Sequence, residues 1–82
     1  MAGEIVERVV RYIASEIVDN AEAVEVEIIE ESDSEVVAEV RTEKSDMGRV
    51  IGRRGRVAKA IRLVAQAAGD EEGLKAQVEF LD

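Results

Sequence analysis

Histidine, cysteine, proline and tryptophan are all absent from this chain of 82 residues. Without histidine it lacks the side chain that most often serves as general base or metal ligand near neutral pH. Without cysteine it has neither a disulfide framework nor a thiolate metal site. Tyr12 and Phe80 are its only aromatic residues, too few for a sheet surface that stacks bases on exposed rings. Long apolar runs are also missing, and none approaches the ~20 residues needed to span a bilayer. The N-terminal stretch MAGEIVERVVRYIASE carries charges throughout and has no signal-like apolar centre. No membrane association is expected, and the cytoplasm is the expected compartment.

A chain of this length makes one domain, read here as residues 1–82. Such a domain buries only about 60 % of the surface its unfolded chain exposes, so its core is thin and leaves little room for a deep catalytic pocket. No nucleophile–base pair suggests itself, and neither GxGxxG nor GxxxxGK[ST] occurs. An enzyme, a metal site and a bound cofactor are therefore not expected.

What is present is charge, unevenly spread. The net charge is −8, with 19 acidic and 11 basic residues. Residues 48–62, GRVIGRRGRVAKAIR, contain Arg49, Arg53, Arg54, Arg56, Lys59 and Arg62 and no acid, leaving −14 for the remainder. Acidic surroundings repel phosphate everywhere except at this window. The pattern predicts one localised anion-binding face, with a nucleic-acid backbone as its ligand.

The apolar periodicity gives the elements. Ile5, Val9, Ile13 and Ile17, widened by Val6, Val10 and Val18, form one stripe of a helix over residues 4–18. Its many β-branched residues lower its own propensity, so it needs a sheet to pack on. Val24, Val26 and Ile28 alternate with glutamates, predicting a strand over 24–29. A polar turn at 31–34 leads to a second strand over 35–42, with Val36, Ala38 and Val40 inward, and the two form an antiparallel hairpin. Ser45 or Asp46 is placed to cap a short helix ending at Ile51. A longer helix follows, with Val57, Ala58, Ile61, Val64, Ala65 and Ala68 on its inner side and Gly69 as its stop. An acidic connector at 70–73 precedes a strand over 74–81, which alternates through Leu74, Ala76, Val78 and Phe80. Tyr12 and Phe80 are assigned to the core. The order αββααβ is an α+β fold, a three-stranded sheet with helices on one face.

Gly52-Arg53-Arg54-Gly55 lies between the last two helices. Its glycines permit a sharp reversal and remove Cβ atoms that would hold a ligand off the main chain. The N–H groups opening the next helix carry partial positive charge. Arg53 and Arg54 at the tip can fork onto phosphate oxygens, with Arg49 and Arg56 at the flanks. Lys59 and Arg62 share one face of the following helix and are equally consistent with plain surface charge. Gly-bounded basic turns often serve as simple connectors; the apolar pair before this one, the basic cluster and the element order set it apart.

On these residues the chain resembles a KH domain, whose signature VIGxxGxxxxxI stands here as Val50-Ile51-Gly52-Arg53-Arg54-Gly55, with Ile61 six beyond Gly55. The resemblance covers essentially the whole chain, and the order αββααβ is that of the type II form. At this length it is similar to the KhpA family of small bacterial RNA-binding proteins. The resemblance implies single-stranded RNA as ligand, with the GxxG loop clamping about four nucleotides. It assigns Gly52 and Gly55 to the invariant glycines, Arg53 and Arg54 to the variable basic pair, and Val50 and Ile51 to the wall of the base groove. It further implies an RNA-chaperone-like role, an influence on cell shape and division, self-pairing, and pairing with a larger KH-containing protein of the Jag type. The alternative is a protein-interaction module, in which the apolar surface at Val50 and Ile51 docks a second copy.

Overall fold

The computed structural model describes residues 2–81. Six elements follow in the predicted order: α1 (Glu4–Ile17), β1 (Glu25–Ser32), β2 (Glu35–Arg41), α2 (Met47–Ile51), α3 (Arg56–Glu71) and β3 (Lys75–Leu81). Single 3₁₀ turns occupy Ala21–Ala23, Lys44–Asp46 and Arg53–Gly55. The strands lie in the order β1-β2-β3. β1 and β2 form the expected antiparallel hairpin, with Val26 opposite Val40 and Ile28 opposite Ala38. β3 joins β2 in parallel, with Ala76 beside Val36 and Val78 beside Ala38. The α2–α3 unit is thus the crossover that carries the chain from one parallel strand to the next.

Side chains alternate across the sheet. Val26, Val36, Ala38, Val40, Ala76 and Val78 face the helices and are buried, together with Val6, Val10, Ala14, Val50, Ile61, Ala65 and Ala68. The other face carries no helix and is acidic, with Val37, flanked by Ile29 and Gln77, buried at its centre. Glu27 lies opposite Glu39, and Glu39 opposite Glu79, so three carboxylates stand abreast across the strands. Like charges in that register repel one another and any third anion.

Two long-range carboxylates fix the helices. Glu72, just beyond α3, accepts hydrogen bonds from the N–H groups of Gly3 (3.0 Å), Ile5 (3.0 Å) and Val6 (3.2 Å). These are donors that the first turn of α1 leaves without helical partners, and α1 has no side-chain cap of its own. Asp46 ties the residues after α1 to the start of α2, as described below. The two edge strands are also covered. Arg11 of α1 donates to the carbonyl of Val26 on β1 (3.3 Å), and Arg62 of α3 donates to that of Val78 on β3 (3.3 Å).

Several sequence expectations are corrected. Tyr12 is 68 % exposed, because it lies two residues, about 200° of helix, from both Val10 and Ala14. The centre of the buried stripe is Val6, Val10 and Ala14, with Ile5, Val9, Ile13 and Ile17 on its flank. Val64 is 41 % exposed, sitting beside rather than on the Ile61–Ala65–Ala68 line. Phe80 does pack against the core but is only half-buried, with the Arg62 guanidinium 5.2 Å from its ring centre. Gly69 does not end its helix. It lies inside α3, where a Cβ would stand 2.7 Å from the carbonyl oxygen of Leu74, so it is required by close packing on β3. The helix stops at Gly73, whose φ is +70°, with Leu74 N–H on the Gly69 carbonyl (2.8 Å) and Gly73 N–H on that of Asp70 (3.2 Å).

Candidate nucleic-acid interface

The site is built on α2, a helix of 5 residues that is too short to be stable alone. Two anchors hold it. Val50 is fully buried in the core. Asp46, at its N-terminal end, is 2 % exposed, and its carboxylate turns back to the residues after α1, accepting N–H bonds from Asp19 (3.2 Å) and Asn20 (3.0 Å). Asp46 stands at the cap position but makes no cap bond to α2. Gly52 then reverses the chain at φ +77°, where a Cβ would lie 2.4 Å from a Val57 methyl. Only glycine fits there.

Arg53 and Arg54 follow at the exposed tip. Arg54 has φ 58° and ψ 25°, the one non-glycine residue with positive φ among those described. L-residues pay about 1–2 kcal/mol for this left-handed conformation. Gly55 has φ +71°, and a Cβ built on it meets no protein atom within 4 Å. The protein leaves that side of the loop open, so a ligand can approach the main chain. α3 begins at Arg56, and its first N–H groups face the same loop.

The basic residues fall into two groups. Arg53, Arg54, Arg56 and Lys59 are exposed, and among the described residues no carboxylate pairs with them. Arg49 and Arg62 are engaged. Arg49 meets Asp19 at 3.1 Å and Asp46 at 3.4 Å. Arg62 is held between the Val78 carbonyl and the Phe80 ring. The two main-chain donors hold the Asp46 carboxyl below the usual carboxylate range, Asn20 most strongly; burial opposes them and Arg49 assists. Of the apolar pair, Val50 supports the loop from within the core, while Ile51 is partly exposed beside it. Gly48 has open space around its Cα, so close packing does not explain it.

Sequence patterns did not mark the opposite wall. β3 is an edge strand, and the Ala76 N–H and Val78 carbonyl point away from β2 toward α3, where Gln66 (3.2 Å) and Arg62 receive them. α3 runs from the loop to this strand edge, where its Arg62 and Gln66 contact the strand. Only the i, i+3 spacing of Asp46 and Arg49 hinted at any of these contacts. Among the described residues, no cluster of acids could hold a metal ion, and no helix is long and apolar enough to cross a membrane.

A helix–GxxG–helix crossover between parallel strands, with the hairpin partner on the far side, defines a type II KH domain. The chain belongs to the KhpA/KhpB family of KH domains, a non-enzymatic family whose model matches residues 7–80. It is similar to curated proteins named RNA-binding protein KhpA. That of Bacillus subtilis is 38 % identical over 82 residues, all of both chains. That of Clostridium perfringens is 42 % identical over 72 residues, 88 % of this chain and 95 % of the relative. That of Aquifex aeolicus is 38 % identical over 74 residues, 90 % and 92 % respectively.

Proposed function

We propose that this chain binds single-stranded RNA, the backbone lying across Gly52–Gly55 and the bases turned into the groove between α3 and the β3 edge. The observation that carries the reading is the free cation cluster of Arg53, Arg54, Arg56 and Lys59 around an open glycine, in a protein otherwise strongly acidic. Family membership and the names of its relatives support it. Phosphates meet Arg53 and Arg54 at the tip, Arg56 and Lys59 behind it, and the N–H groups opening α3. With Tyr12 and Phe80 as the only aromatic residues, stacking on rings is not what holds the bases. The protein acts in the cytoplasm as a small RNA regulator or chaperone. Replacing both Arg53 and Arg54 by Asp is expected to abolish binding while circular dichroism stays native, since neither side chain has a core role. Unchanged affinity of the folded double variant in a mobility-shift assay would sink this assignment.

A second reading concerns assembly. Tyr12, Leu63 and Val64 are the large apolar side chains left exposed, at 68 %, 66 % and 41 %. They lie on α1 and α3, which pack against each other. With Val50 buried, self-association through the Val50–Ile51 surface has little to work with, and this helical face is the better contact for a second copy or for another KH-domain protein. Light scattering is expected to show a dimer that Leu63→Glu with Val64→Glu converts to monomer. A strict monomer for the unaltered chain at tens of micromolar removes the homodimer.

A further inference from the structure

Arg49 is the basic residue of the window whose surroundings fit phosphate least. Its guanidinium lies between two carboxylates, 3.1 Å from Asp19 and 3.4 Å from Asp46. A phosphate arriving there meets a cation already neutralised twice over, with the acids still beside it. Asp19 lies just beyond α1, and Asp46, at the start of α2, turns back to that same segment. Asp46 is almost wholly buried, yet it makes no cap bond to the main chain of the helix it precedes; its oxygens accept from the main chain 26 and 27 residues upstream, and one of them also meets Arg49.

We infer that Asp19, Asp46 and Arg49 form a pin that fastens α2 to the end of α1 and so sets the position of the GxxG loop. Arg49 is a positioning residue and not a phosphate ligand. The geometry explains why a pin is needed. α2 has one full turn of helix, its downstream end is a left-handed glycine turn, and its core contacts are Val50 and the partly buried Met47. These two seat the helix on the core from one side. Arg49, one residue before Val50, reaches the segment after α1 and ties the helix down from another side. The loop is then presented in one orientation, and the RNA does not bear the ordering cost.

This inference rests on the proposed RNA-binding role of the loop, and the test separates the two. A short fluorescein-labelled single-stranded RNA of mixed sequence is titrated by anisotropy over a range of salt concentrations, well below each variant's melting temperature. For a single strand, each phosphate contact contributes about −0.7 to the slope of log K against log salt. Arg53→Gln with Arg54→Gln is expected to make the slope shallower by about 1.4, two contacts' worth. Arg49→Gln is expected to weaken binding about three- to tenfold, the size of freeing one or two ordered side chains, with the slope of the unaltered protein. Asp46→Asn should do the same, and combining it with Arg49→Gln should add little, because both break one device. If Asp46→Asn does not fold, Asp19→Asn serves instead; that carboxylate is exposed, and its loss should weaken binding at constant slope. A slope shallower by about 0.7 in Arg49→Gln makes Arg49 a phosphate ligand and overturns the pin. Unchanged affinity in Arg49→Gln overturns it too. If instead the Arg53/Arg54 variant binds as the unaltered chain does, the loop reading itself has failed, whatever Arg49 does.

Discussion

Arg54 holds the loop's cost and its use in one place. Its φ of 58° is a conformation that glycine adopts freely and arginine does not. Strain retained at an exposed tip, where the fold itself draws no packing from the side chain, fits a group kept for its ligand. The neighbouring Arg53 has no such φ, which makes it the internal control. Arg54→Gly is expected to leave a protein about 1 kcal/mol more stable than Arg53→Gly, while both weaken RNA binding similarly by losing one charge. Equal stabilities in chemical denaturation would remove the strain argument. The GxxG residues were legible in the sequence because glycine and arginine mark a turn and an anion locally. The pairing of Arg49 was not, since one of its two carboxylates comes from Asp19, thirty residues away. Tyr12 was misplaced for a related reason: an apolar ring beside an apolar stripe reads as core until the helix is wound and the angle counted.

The helices and strands were legible as elements, and their junctions were not. Periods of 3.6 and 2 in the apolar residues mark α1, α3 and two of the strands within a residue or two, while β1 runs three residues past its predicted end, to Ser32 in the expected turn. Nothing periodic marks Glu72 capping α1 from the far end of the chain, or Asp46 reaching back to the residues after it. Both are acids in an acid-rich sequence, and only the backbone donors they meet distinguish them. Gly69 was read as a stop because glycine after an apolar run commonly is one, whereas here it lets α3 lie close on β3. The Asp46 junction has a measurable signature. Its carboxyl titrates below the usual range in the folded chain, through the Asn20 and Asp19 N–H groups and Arg49, against the opposing effect of burial. The ordinary aspartate value near 3.9 applies when unfolded. The unfolded chain therefore takes up the proton first as pH falls. The stability Asp46 contributes is full above about pH 4 and is lost as pH drops through the lower, folded value. Other effects of acid on the chain are common to both proteins when the comparison is with Asp46→Asn. The difference in denaturation free energy between the two proteins is expected to be constant from pH 7 to 5 and to shrink below about 4. A difference that stays constant down to pH 3 contradicts the assignment.

As a whole the molecule keeps opposite charge on different surfaces. The open sheet face carries Glu27, Glu39 and Glu79 side by side, while the free cations gather at one end of the helical layer. A sheet that repels phosphate cannot serve as the RNA platform, in contrast to folds that stack bases on sheet aromatics. Tyr12 on α1 and Leu63 and Val64 on α3 are exposed apolar side chains of the helical layer. The division was partly legible in advance: the six-cation window against −14 elsewhere announced a localised anion site. Which acids face it, and which arginines are already paired, needed the fold. The central claim, that RNA is held at the GxxG loop and the β3 edge, is tested most directly by following the backbone amide signals of the isotopically labelled protein by NMR as single-stranded RNA is added. The largest changes are expected at Gly52–Arg56, Lys59 and residues 76–80, with signals from Glu27, Glu39 and Glu79 unmoved. Changes concentrated on the open sheet face or around Tyr12 and Leu63, with the loop signals still, would contradict it.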